Sequence, residues 1–317
     1  MNDLYTRVVE ASEAIRPDVP VSPLVHSTAL SDRTGCVVYL KCEHVQETGS
    51  FKLRGAVNKL RLLAATQCKR VVTASTGNHG LAVALAGRRA AISVVVYAPM
   101  DASSVKLDAI RALGAQVITI DAPPLQVELE AARRGMTDGL PFISPYNDLD
   151  VIAGQGTIGI ELAEQHPNLA AIFVSVGGGG LIAGIGTALK EDSPKTKVVG
   201  CWPRNAPALY ECLKAGRVIE VDEAPTISDA TAGGVAPDSV TLPIVQQVMH
   251  DAVLIPEDQI TQAMKLVAQT ERWMIEGSAA VAVAGMLDKA ENYQGQAVAI
   301  VICGRNITLD KFIAAVT

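Results

Sequence analysis

Four stretches of the chain carry residue types that can do chemistry, and each sits at the edge of an element. Lys52 lies in Thr48-Gly49-Ser50-Phe51-Lys52-Leu53-Arg54-Gly55-Ala56, with a glycine three residues to either side. Gly49 permits a tight turn opening a helix, with Ser50 as its N-cap and Asn58, Lys59 and Arg61 on its outer face. A lysine at that helix start feels the positive end of the dipole, and burial disfavours its charge further. Both effects favour the free amine, the nucleophile that condenses with a carbonyl. A lone lysine is by default a surface residue. Ser75-Thr76-Gly77-Asn78-His79-Gly80 offers small residues whose backbone amides can cradle a carboxylate, although an N-capped turn alone explains it too. Val176-Gly177-Gly178-Gly179-Gly180-Leu181 removes every Cβ from one turn, so amides can close on phosphate oxygens. It fits neither G-x-G-x-x-G nor a Walker loop, which argues against nicotinamide dinucleotides and nucleoside triphosphates. Cys303 follows the apolar run Val298 to Ile302, as a strand-end thiol facing a ligand or as a plain core cysteine.

The elements that must hold these groups alternate. Residues 4–15 have helical spacing and 37–43 read as a strand leading to the Lys52 turn. Strands are expected at 70–74, 92–97, 116–120, 141–143, 170–176 and 197–201. Helices are expected at 80–89, 104–113, 125–134, 151–165 and 181–189. Such alternation predicts parallel βαβ crossovers in an α/β fold. No solenoid repeat or low-complexity tail interrupts it.

Composition agrees. Of 317 residues 49% are hydrophobic but only 4% aromatic, so the core must be built from Ala, Val, Leu and Ile, as buried parallel strands require. A net charge of −6 without a basic cluster argues against nucleic acid and anionic membranes. The six cysteines form no C-x-x-C pair and no zinc spacing, as expected of reduced thiols in the cytoplasm. With Met1-Asn2-Asp3 and no apolar h-region at the start, no signal peptide is expected. Residues 169–189 run 21 positions without a charge, long enough to span a bilayer, but four glycines in the middle favour a buried strand–turn–helix.

Taken together and in this order, the motifs resemble those of the fold-type II pyridoxal-phosphate enzymes, of the threonine/serine dehydratase and serine racemase branch. The resemblance runs from about Pro23 to about Asn306. It implies a tryptophan synthase β-like fold with two domains: residues 1–68 and 149–317 forming a large cofactor-binding domain, and 69–148 a small domain inserted in it. It implies that Lys52 carries pyridoxal 5'-phosphate, beside Phe51. Asn78 would donate to the ring hydroxyl, Gly177, Gly178, Gly179, Gly180 and Leu181 would hold the phosphate, and Cys303 would face the ring nitrogen. Glu276 would stand near the ring edge. Ser75, Thr76, Gly77 and His79 would surround the substrate carboxylate, His79 as a positioning group rather than a base. A neutral thiol leaves the ring nitrogen unprotonated, which favours elimination over transamination.

Departures from the family pattern sharpen the expectation. Thr76 stands where serine racemases place a serine acting opposite the lysine and biosynthetic threonine dehydratases an alanine, so Thr76 is a second catalytic candidate, for partial racemisation. Gly277 replaces a proline in Glu276-Gly277-Ser278. Residues 202–208 hold no carboxylate where metal-activated relatives place ligands, so no metal is expected. Residues 226–234 depart from the usual Asp-Gly pattern on the substrate side. No allosteric tail is expected after Thr317. The implied reaction is loss of water from a β-hydroxy-α-amino acid such as threonine or serine, giving an α-keto acid and ammonia, in a homodimer. Alternatives are an amino-acid racemase on the same site and a non-catalytic ligand-binding protein. The Ser75–Gly80 loop and Cys303-Gly304-Arg305-Asn306 are similar to the hydroxyectoine-utilisation dehydratase subgroup, with a less common hydroxy amino acid as substrate.

Overall fold

The computed structural model describes residues 2–75, 77–100 and 102–317; Thr76 lies outside them. Ten strands among the described residues form two sheets. They are β1 (Leu24–His26), β2 (Val37–Lys41), β3 (Arg70–Ala74), β4 (Ser93–Pro99), β5 (Gln116–Ile120), β6 (Phe142–Ile143), β7 (Ala171–Ser175), β8 (Lys197–Pro203), β9 (Asp251–Ile255) and β10 (Ala297–Val301). A six-stranded sheet has the order β1-β2-β10-β7-β8-β9, and only the β1–β2 edge is antiparallel. The four-stranded sheet, β5-β4-β3-β6, is wholly parallel and uses only residues between 70 and 143. The expected α/β fold of mostly parallel sheets is therefore present.

The central strands are apolar on both faces, because helices cover both. All five residues of β7 are buried, and Val298 to Val301 of β10 are buried beside them. The charge-free run 169–189 folds as β7, a turn and the helix Gly180–Asp192. Among the described residues no helix is long and apolar enough to cross a membrane.

The helix Lys52–Ala65 is clamped against the helix Leu149–Gln165 by small residues. A Cβ on Gly55 would lie 2.7 Å from the Val151 carbonyl, and one on Gly154 would lie 2.6 Å from the Arg54 carbonyl. Leu53 is fully buried at the start of the same helix, worth roughly 1.5–3 kcal/mol of anchoring. Two local expectations fail here. The N-cap is Phe51, in helical backbone and without a side-chain cap, because the Ser50 backbone is drawn into a bridge with Gly304. Asn58 is buried rather than outward, its amide donating to the Asp150 carbonyl (2.8 Å) across the helix pair. Beyond residue 203 lie elements that periodicity did not mark, above all the helix Gly277–Lys289, buried nearly all round and so lacking a polar stripe.

Candidate active site

In parallel α/β sheets ligands gather at the carboxyl ends of strands, and here those ends surround one cavity of about 210 Å³. The six-stranded sheet contributes the glycine turn after β7 and Cys303 after β10. The four-stranded sheet contributes Ser75 after β3, Pro99 at the end of β4, and Pro145 and Tyr146 after β6. Lys52 and Phe51 enter from the helix start between the sheets. Every sequence-expected site residue except Thr76, which is outside the described residues, lines this cavity.

Lys52 Nζ donates to the Pro145 carbonyl (2.7 Å) and lies 5.1 Å from the centre of the Phe51 ring. Burial brings its pKa down to about 8, against a smaller opposing pull from the carboxylates of Glu128 and Glu276 and from Cys303. Two residues on, Arg54 anchors the helix start. Its guanidinium is buried between Glu43 (2.8 Å) and Glu161 (2.7 Å), and Lys41 also pairs with Glu161 (2.5 Å). Two cations and two carboxylates thus neutralise one another without water, a net that fixes geometry more surely than it adds stability.

The turn Gly177–Gly179 leads into the helix Gly180–Asp192, with Gly179 at φ +90°. The amides of Gly177, Gly178 and Gly179 donate to no protein acceptor among the described residues. Side chains are excluded there. A Cβ on Gly177 would lie 2.9 Å from the Thr231 carbonyl, one on Gly180 3.0 Å from Tyr146 Cα, and one on Gly178 would enter the Tyr146 ring.

Opposite, Gly77 N–H donates to Ser75 Oγ (3.1 Å), tightening the turn before the helix Asn78–Ala90. His79 is buried with Nε2 bonded to the Ile143 carbonyl (3.1 Å), which puts the proton on Nε2 and leaves Nδ1 without a partner. Burial, and then the Lys52 charge, hold its pKa down at about 3. It stays neutral at physiological pH. Asn78 Nδ2 donates to Glu276 Oε1 (2.8 Å), while its oxygen accepts from Asn306 Nδ2 (2.5 Å). Glu276 also accepts from the Asn306 backbone (3.0 Å), and burial, with help from Asp229, pushes its carboxyl up to about 7. The buried Cys303 thiol is pushed well above its ordinary value by burial and by Glu276, so it is neutral; its carbonyl accepts from Phe51 N–H (3.1 Å).

Three lining residues carried no sequence signal strong enough to single them out: Lys106, Glu128 and Tyr146; Ser278 and Asp229 lie in the stretches 276–278 and 226–234 already marked. Tyr146 was within reach, since Pro145-Tyr146 follows β6 at the sheet end where ligands gather. Glu128 had no such marker, being one carboxylate on an amphipathic helix.

The chain resembles known proteins over almost its whole length. It is 39% identical over 305 residues to L-threonine ammonia-lyase of Thermotoga maritima, covering 96% of this chain and 75% of that protein. The solved structure of the processed form of threonine deaminase isoform 2 from Solanum lycopersicum superposes with a TM-score of 0.93 at 34% identity, over 99% of this chain and 88% of that one. Serine racemase from Dictyostelium discoideum superposes with a TM-score of 0.87 at 35% identity, over 96% and 99%. The family model described as pyridoxal-phosphate dependent enzyme matches residues 15–304. With a half-buried lysine and a side-chain-free turn lining one cavity, this chain belongs to the pyridoxal-phosphate dependent enzyme family.

Proposed function

We propose that the chain is a pyridoxal-phosphate lyase that removes water from a β-hydroxy-α-amino acid, threonine or serine in the first instance, and releases an enamine that takes water back up to give an α-keto acid and ammonia. The observation that carries this is the Lys52 amine, its charge disfavoured by burial, in one cavity with unpartnered amides at a helix N-terminus. The residues present fit the cofactor. Backbone N–H groups at the positive end of the helix Gly180–Asp192 suit a phosphate, and the missing Cβ atoms leave room for its oxygens.

When bound, the cofactor supplies an aldehyde carbon for Lys52 and an electron-withdrawing ring that stabilises negative charge at the substrate Cα. Lys52 Nζ would hold the cofactor and, once the substrate amine has displaced it, would be free to take the Cα proton of the substrate. The Pro145 carbonyl fixes the amine's direction, and the Arg54 net fixes the helix that carries it. Gly177 to Gly180, with Leu181, bind the phosphate. Asn78 has one amide hydrogen committed to Glu276 and a second free for the ring hydroxyl. Glu276 keeps Asn78 in place by accepting from its amide. Cys303, a buried neutral thiol on the cavity wall, would leave a ring nitrogen held against it without a full proton and so limit charge spread toward transamination. Ser75, Gly77 and the fixed, neutral His79 seat the substrate carboxylate at the start of the helix Asn78–Ala90.

The same proposal includes two domains, 1–68 with 149–317 and an inserted 69–148. Two separate sheets, one of them built only from residues between 70 and 143, support it. A cytoplasmic homodimer completes it, tested by light scattering of the purified protein. Reconstituted protein should absorb in the visible, and borohydride should bleach it and leave a cofactor adduct on Lys52 in peptide mass maps. Keto-acid release from threonine or serine should disappear in Lys52→Ala with the fold intact by circular dichroism. Retained turnover in that variant refutes the proposal.

A further inference from the structure

We propose that Asn306, which does not itself line the cavity, is the positioning residue that decides which atom of Asn78 faces the cofactor. This rests on the ring-hydroxyl role given to Asn78 above and deepens it. A backbone carbonyl can only accept a hydrogen bond. The Thr48 carbonyl lies 2.8 Å from Asn306 Nδ2, so the nitrogen of that amide must face it. The second hydrogen of the same nitrogen points to Asn78 (2.5 Å), where only the oxygen can receive it. The Asn78 nitrogen is thereby turned toward Glu276 Oε1 (2.8 Å), and its remaining hydrogen has no protein acceptor among the described residues. That hydrogen is what the cavity receives.

Glu276 alone would not settle the orientation. Burial, and then Asp229, push its carboxyl up to about 7, so near neutrality it can carry a proton on Oε1 and donate to an oxygen instead of accepting from a nitrogen. Its Oε2 has no such freedom, because it accepts from the Asn306 backbone N–H (3.0 Å). The other charged or titratable groups acting on or feeling this carboxyl are Lys106, Lys52 and the Cys303 thiol. None of them touches the Asn78 oxygen. The seat of Asn306 is held from both sides: Arg305 N–H donates to the Gly49 carbonyl (2.9 Å), and Ser50 bridges Gly304. Side chains are excluded from it. A Cβ on Gly49 would lie 2.6 Å from Asn306 Oδ1, and one on Gly304 would fall on Glu276 Oε1. Asn78 follows β3 and Asn306 follows β10, so the lock joins loops of both sheets.

The test reads cofactor affinity without any reaction. Apo-protein carrying Lys52→Ala, which forms no covalent bond with an aldehyde, is titrated by calorimetry with pyridoxal 5'-phosphate and with its 3-deoxy analogue. The ring oxygen of the first is ionised at neutral pH and can only accept. With Asn306 present it should bind about 10- to 100-fold tighter than the analogue, the range of a hydrogen bond to a charged group, and the ratio should stay level from about pH 6 to about pH 8.5. Adding Asn78→Ala should bring the ratio near one. Adding Asn306→Leu, close in size but without a donor, should keep most of the ratio at the upper pH and lose it toward the lower, as Glu276 gains a proton and Asn78 turns over. Adding Asn306→Asp should lower it at the upper pH as well, because the new carboxylate draws the Asn78 nitrogen to itself. If Asn306 only supports the loop, both ligands weaken together, so a ratio unchanged across pH in either variant overturns the inference. A ratio near one with Asn306 present overturns it too, since Asn78 then gives the ring oxygen nothing. Absence of keto acid from every hydroxy amino acid, with Lys52 in place, would defeat the lyase function alone.

Discussion

The ionisation of Lys52 sets how fast the apo-protein can capture an aldehyde. An ordinary lysine at 10.5 is about 0.03% free amine at pH 7; one at about 8 is about 10% free, some 300-fold more. The rate of cofactor capture should therefore rise with pH and level off, half-maximal near pH 8, when followed by stopped-flow absorbance. The same burial costs stability. Between about pH 8 and 10.5 the unfolded chain holds this proton and the folded chain does not, so stability rises with pH across that window. Below pH 8 both states hold it and the folded apo-protein bears the whole cost, about 3 kcal/mol for a drop from 10.5 to about 8. Lys52→Met removes the charge and forfeits one hydrogen bond to the Pro145 carbonyl, about 1 kcal/mol. The variant apo-protein should thus be more stable by about 2 kcal/mol in urea at pH 7, with the advantage gone by pH 10.5. A capture rate half-maximal at pH 10 or above, or a Lys52→Met variant no more stable at pH 7, would refute the reasoning.

Gly178→Ala drives a methyl into the Tyr146 ring, so it should cost roughly 1–3 kcal/mol by thermal melting and weaken cofactor phosphate binding at least tenfold; unchanged affinity would remove the turn from the phosphate site. Arg54→Met strands Glu43 in the interior and leaves Glu161 with Lys41 alone, so it should destabilise by roughly 3–5 kcal/mol in urea, and a loss under 1 kcal/mol would show that the net is not closed to water. Thr76→Ala should abolish any D-isomer formed from L-serine while sparing keto-acid release; equal D-isomer in both proteins, by chiral chromatography, would take Thr76 out of the proton path.

How much could be read beforehand follows from what each feature needs. The Lys52, Ser75–Gly80 and Gly177–Gly180 turns were legible because backbone chemistry demands rare residue types there, and such runs stand out in a single chain. The strands β3, β4, β7 and β8 were legible because burial on both faces makes them almost continuously apolar. The Ser50 cap failed because tertiary pairing with Gly304 outweighed a local preference worth about 1 kcal/mol. Asn58 failed because the partner helix Leu149–Gln165 lies on what helical periodicity makes the outer side. Glu128 was invisible for a different reason. On an amphipathic helix a carboxylate is solvated by default, and only the docking of that helix over the β6 end turns it toward the cavity.

Two oddities of the sequence, Gly277 in place of a proline and the segment 226–234, prove to be one feature. Gly277 is the first residue of the helix Gly277–Lys289, a position where proline is well suited to the backbone. What forbids a side chain there is the segment itself, since a Cβ on Gly277 would fall on the Ile227 carbonyl. The segment is pinned by Glu257 to Ile227 N–H (2.9 Å) and by Ser278 Oγ to Ala230 N–H (3.2 Å). It then reaches the phosphate turn, where the Thr231 carbonyl occupies the space beside Gly177. Asp229, between those contacts, pairs with Lys106 across the cavity wall. Gly277→Pro should therefore preserve the helix yet push the segment outward, costing roughly 1–3 kcal/mol in thermal melting. Displacement of Asp229 and Thr231, which line the cavity without bonding Lys52 Nζ, should raise the substrate KM more than it lowers kcat. A proline variant with unchanged stability and unchanged KM would show that the two departures are independent, and that the substrate wall owes nothing to the missing side chain at 277.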